Sequence, residues 1–146
     1  MKLKIVKIDE GLLRRNHLID KYKMDVWPLM SEVLDISKLI EQNYGYGNIP
    51  NNIDPAEERK LERHVKKAVD INMDTEYLSK HLGSFLDDEN ITREKIQRQN
   101  MEIQKSIEQL NGSLKYLKSL ARYFKSKKYL NMDDPGTSEM VTKYGI

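Results

Sequence analysis

Almost every heptad-core position from Ile96 to Phe124 carries an apolar side chain, and no other feature restricts this chain's fold as tightly. Ile96, Ile103, Leu110, Leu117 and Phe124 recur every seven residues; Asn100, Ile107, Leu114 and Ala121 form a second track offset by four. Four heptads of such spacing describe one long helix whose narrow stripe must lie against another helix. Asn111-Gly112-Ser113 could end one helix and cap the next, but the register passes through it without a slip. A turn has no reason to keep register, so the spacing predicts an unbroken helix with Gly112 on its outer side, where glycine costs about 1 kcal/mol relative to alanine. About 40 residues at 1.5 Å each reach roughly 60 Å, beyond the roughly 35–40 Å span of a compact domain of this length. Either shorter helices lie along this rod, or part of it projects and pairs with another chain.

Of 146 residues, 38% are apolar and 33% charged, which suits helices that each bury one face. The absence of cysteine excludes disulfides, zinc knuckles and thiol nucleophiles. In the first eight residues charge interrupts the apolar side chains after at most two in a row, so no signal core is expected there, and no later run approaches a membrane span. An intracellular, cytoplasmic protein is the expectation, and the glycosylation triplets Asn90–Thr92 and Asn111–Ser113 read as chance.

Local signals divide the chain. Residues 2 to 8 read as a short strand or an extended arm. A first helix is expected from Asp9 to about Lys23, and Pro28 predicts a break and a new start after Trp27. Leu29, Met30, Val33, Ile36, Ile40 and Tyr44 then mark a second helix, closed by the glycines after Tyr44. Asp54-Pro55 followed by Glu57 and Glu58 supplies a cap, a first-turn proline and acids at the positive end of the dipole. A third helix follows with Leu61, Val65, Ala68 and Val69, and Asp74-Thr75-Glu76 predicts a further start. Residues from Asn131 onward are polar and read as a mobile tail.

Few residues suggest chemistry. Asn100 among aliphatic seam residues could pair with a symmetry mate in a parallel dimer, or face a polar group such as Ser37 inside a bundle. Its flanking positions are nearly uncharged, which gives no charge code for partner choice. Between Glu108 and Asp133 there is no acid, whereas Lys115, Lys118, Arg122, Lys125, Lys127 and Lys128 add six positive charges. The formal net charge of +2 therefore becomes −4 without them. Lys115, Lys118, Arg122 and Lys125 share one stripe, with Tyr116 and Tyr123 beside it, as a phosphate backbone with stackable bases would require. Cations near a helix C-terminus also have a plain electrostatic use. Asp70-Ile71-Asn72-Met73-Asp74 begins like a calcium loop but lacks the glycine and the closing glutamate. His17, His64 and His81 have no ligand spacing, and no nucleophile motif is present.

The expectation is thus an all-α protein: an elongated helical bundle with a long C-terminal coiled-coil-like helix. Residues 1–90 form a short-helix region, 91–131 the heptad-patterned helix packing on it or on another chain, and 132–146 a flexible tail. The function expected is that of a non-catalytic structural or adaptor subunit, without cofactor or metal, associating with itself or with another helical protein. The alternative is a nucleic-acid-binding accessory protein using the basic stripe.

Overall fold

A computed structural model describes residues 14–46, 48–88 and 92–146. The fold is all-α, with no strand among the described residues. The strand or arm expected over residues 2 to 8 and the start of the first helix lie outside them. Helix α1 (14–21) runs into a π-helical turn, Tyr22–Val26, and directly on into α2, Trp27–Tyr46. Pro28 therefore does not break the rod as expected. Its ring cannot accept an ordinary α-helical neighbour four residues back, and the turn before it is widened instead, with the Trp27 amide donating to the Tyr22 carbonyl five residues earlier.

Asp54 caps α3, Pro55–Gly83, as its sequence predicts: its carboxylate accepts from the Ala56 amide at 3.1 Å, with Pro55 in the first turn. The second start expected at Asp74 is absent, and α3 continues for 29 residues. Thr75 bonds back to the Ile71 carbonyl at 2.7 Å, a mid-helix use of the hydroxyl rather than a cap. The region read as short helices is therefore two long rods. A 3-10 turn, Ser84–Asp87, ends the second, and Thr92 caps α4, Arg93–Ser126, which passes through Gly112 unbroken.

The rods run up, down and up. Arg15 donates to the Leu86 carbonyl, joining the start of the first to the end of the second. Lys21 reaches Asn100 and Gln104 near the start of α4, and Glu32 pairs with Lys118 further along, so the first and third rods are parallel. Glu57 accepts from Tyr123, which places the start of α3 against the end of α4. Val33, Ile36 and Ile40 of α2, Leu61 and Ala68 of α3, and Leu110, Leu117 and Phe124 of α4 form a common core, each no more than 2% exposed. Asn72 donates to Ser37 at 2.7 Å across α2 and α3, and every buried side-chain polar atom among the described residues has a partner.

The chain beyond α4 is not the loose tail its polarity suggests. Lys128 adopts a left-handed backbone (φ 61°), Lys128 and Tyr129 amides close onto the Lys125 and Phe124 carbonyls, and Tyr129 packs edge-on against Phe124. Asp134 then caps α5, Pro135–Tyr144, which Gly145 ends in the left-handed region. Asn43 accepts from the Asn131 amide at 2.8 Å, Tyr144 donates to Asp35 at 2.5 Å, and Val141 and Ile146 are buried. Enough of the tail's few apolar groups reach the bundle to fix it.

Candidate interaction surfaces

The α4 stripe is used inside the chain. Ile103, Leu110, Leu117, Ala121 and Phe124 are buried, Ile96, Ile107 and Leu114 are half-buried, and Asn100 is exposed. Burial extends to a further track offset by three, where Gln99, Ser106 and Leu120 are buried and Ser113 half-buried, while in the offset-four track only Ala121 is fully buried. A helix packed on two neighbours needs a broader face than a two-helix seam. One flank of α4 turns Asn100 and Lys118 toward the first rod, and the other turns Glu102, Tyr116 and Tyr123 toward α3. Asn100 thus accepts from Lys21 on an exposed flank rather than sitting among aliphatics, and Ser37 is occupied by Asn72.

That division also separates the basic stripe from its aromatic neighbours. Lys118 pairs with Glu32 at 2.9 Å, Arg122 donates to the Gly145 carbonyl at 3.4 Å, and Lys125 to Ile146 at 3.0 Å. Three of the four stripe cations therefore serve contacts with α2 and with the segment after α5, while Lys115 is exposed. Tyr116 and Tyr123 sit on the opposite flank, half-buried against α3. The Tyr116 hydroxyl lies 2.5 Å from His64 Nδ1, and Tyr123 donates to Glu57. Burial raises the Tyr116 phenol, and the hydrogen bond to Glu57, followed by burial, pushes Tyr123 up to about 12. Burial, then the charges of Arg63, Lys60 and Lys67, hold the His64 imidazole below its ordinary range.

What the stripe lacks, α3 supplies. Lys67 Nζ stands 4.1 Å from the Tyr116 ring centroid and Lys60 Nζ 4.4 Å from that of Tyr123, with Lys127 at 5.8 Å from the same ring. Lys60 and Lys67 are seven residues apart, as are Tyr116 and Tyr123, and antiparallel packing pairs them in reverse order. That matched interval is visible in the chain, but it signals an interface only when the two helices are known to be neighbours.

A third surface is apolar. Met24, Trp27, Met73 and Tyr77 are all more than half exposed. Asn72 reaching the Leu34 carbonyl, and Ser79 lining one groove with Trp27 and Leu34, bring Met73 and Tyr77 level with the stretch from Trp27 to Leu34. By helical spacing Trp27, Met73 and Tyr77 project on the outer α2–α3 face, away from the residues that meet α4, whereas Met24 in the π turn lies opposite the buried Tyr22 and Val26. Lys23, Trp27, Pro28, Met30, Ser31, Leu34 and Ser79 line a shallow groove there.

Among the described residues no three His, Asp or Glu side chains gather to hold a metal. The stretch from Asp70 is helical, with Asn72 turned inward, and His81 meets Glu102 at 3.0 Å. His17 is exposed on α1. No helix among the described residues is long and apolar enough to cross a membrane. No known protein family matches the chain, and neither does any curated protein or solved structure.

Proposed function

We propose that this chain is a non-catalytic structural or adaptor subunit that works by helix–helix association, with a second copy of itself as the partner. The observation that carries this reading is the exposure of Trp27, Met73 and Tyr77, each more than half exposed, along the outer α2–α3 face beside the shallow groove. Large apolar side chains gathered on one face are uncommon on a monomer unless that face binds something. A groove between two helices accepts the apolar side of a third, and unbranched methionines adapt to such a partner. The α4 stripe, already buried, contributes by making the bundle rigid rather than by meeting the partner.

Trp27 is the only tryptophan, so its fluorescence reports this face alone. Light scattering over a range of concentrations should give a mass above the 17.2 kDa protomer, with blue-shifted Trp27 emission on association. Met73→Glu should return both to the values of a single chain. A 17.2 kDa species at every concentration, with Trp27 emission unchanged, would overturn self-association.

A further inference from the structure

We propose that the outer α3–α4 face bearing Lys60, Arg63, Lys67 and Lys127 binds the phosphate backbone of duplex nucleic acid without reading its sequence. None of these four cations has a carboxylate within ion-pair distance among the described residues, in contrast to Lys118 with Glu32. Of the acids on α3, Glu57 accepts from Tyr123 and Tyr129, Glu58 and Glu62 lie toward Tyr44 on the other side, and Asp70 and Asp74 lie one and two turns beyond Lys67, past the end of the row. His64 lies between the lysines, where burial first, and then the charges of Arg63, Lys60 and Lys67, hold its imidazole below its ordinary range.

Geometry selects among polyanions. Lys60 and Lys67 are two helical turns apart, roughly 10.5 Å along a straight axis, so they form a linear row rather than a pocket. Their ammonium groups rest over Tyr123 and Tyr116, which limits the side-chain freedom lost on binding. Because lysines already cover those rings, the tyrosines position cations and do not offer platforms for unstacked bases, which favours a duplex over a single strand. Attachment to an anionic lipid surface calls for apolar groups beside the basic ones. Here the exposed apolar side chains of α2 and α3 lie on the other face.

The test uses the full chain with fluorescently labelled duplex and single strands of mixed sequence, titrated by anisotropy at several salt concentrations. Four phosphate contacts predict a log–log slope of about −3.6 on duplex, equivalent to about 150-fold weaker binding for a fourfold rise in salt. Lys60→Gln with Lys67→Gln should reduce the slope to about −1.8, or about 12-fold, with unchanged helical circular dichroism. Lys115→Gln, on the opposite flank of α4, should leave it unaltered. Absence of duplex binding at low salt, a slope indifferent to the double substitution, or clearly tighter binding of the single strand would each overturn the assignment. So would association with phosphatidylserine-containing vesicles in place of DNA. The Trp27 face takes no part, so failure here and failure of self-association are separate results.

Discussion

Leu114 and Leu117 separate the two ways of reading α4, because they are the same residue one turn apart and both belong to the heptad pattern. Leu117 is 0% exposed, whereas Leu114 is half-buried on the flank. Truncating Leu117 to alanine removes fully buried methyl groups and leaves a cavity among rigid neighbours, for a loss of about 3.5 kcal/mol. Leu114→Ala removes groups that already touch water and leaves no closed cavity, so about 1 kcal/mol is expected. At about 3 °C per kcal/mol for a chain of this size, the melting temperatures should fall by about 10 °C and about 3 °C. Urea unfolding followed by far-UV circular dichroism measures both, with equal slopes required for the comparison. Equal losses would refute the packing described, since they would mean that both tracks of a symmetrical seam are equally buried.

Other consequences follow from particular residues. Gly112 lies in mid-helix with open space where a Cβ would stand; Gly112→Ala should stabilise the chain by about 1 kcal/mol, and a loss in the same urea assay would mean the helix is interrupted there. Lys128 holds a left-handed backbone that favours glycine; Lys128→Gly should gain about 1 kcal/mol in thermal unfolding, whereas a loss would place the α4 terminus in a different conformation. Tyr123, raised to about 12, and Tyr129 and Tyr144, also raised, keep their protons in the fold beyond the point at which the unfolded chain loses them. Stability from these groups is complete below about pH 10 and declines as pH rises toward 12. Unfolding midpoints and tyrosinate absorbance should therefore change together, and ionisation in the ordinary range without loss of stability would contradict the contacts to Glu57 and Asp35.

Strong local chemistry was legible in the amino-acid sequence, whereas anything dependent on a neighbour was not. Asp54-Pro55 announces α3 because cap, proline and first-turn acids act within four residues. The unbroken α4 is legible because register is a property of one helix. Its second buried track is not: Gln99 and Ser106 become interior only because α4 touches two rods, and neither residue type signals burial. Asp134-Pro135 repeats the Asp54-Pro55 signature, yet α5 is easily missed, because ten residues show too few apolar positions to establish a period. At Pro28, steric preference correctly marks a disturbance but cannot foresee that a π turn will absorb it while the core residues on both sides hold the rod together. The basic stripe shows the same limit: its spacing is real, but the cations and tyrosines belong to different flanks once α3 is in place.

The antiparallel contact of α3 and α4 within one chain is tested most directly by cross-linking His81→Cys to Glu102→Cys with a short bismaleimide. The wild-type side chains meet at 3.0 Å, both positions are exposed, and the chain has no other cysteine. On a denaturing gel, which separates associated chains, peptide mapping should find the link between the two helices inside a single covalent chain of 17.2 kDa at every protein concentration. Links found only between two chains, in a species of twice that mass, would show that α4 finds its helical partner outside its own chain.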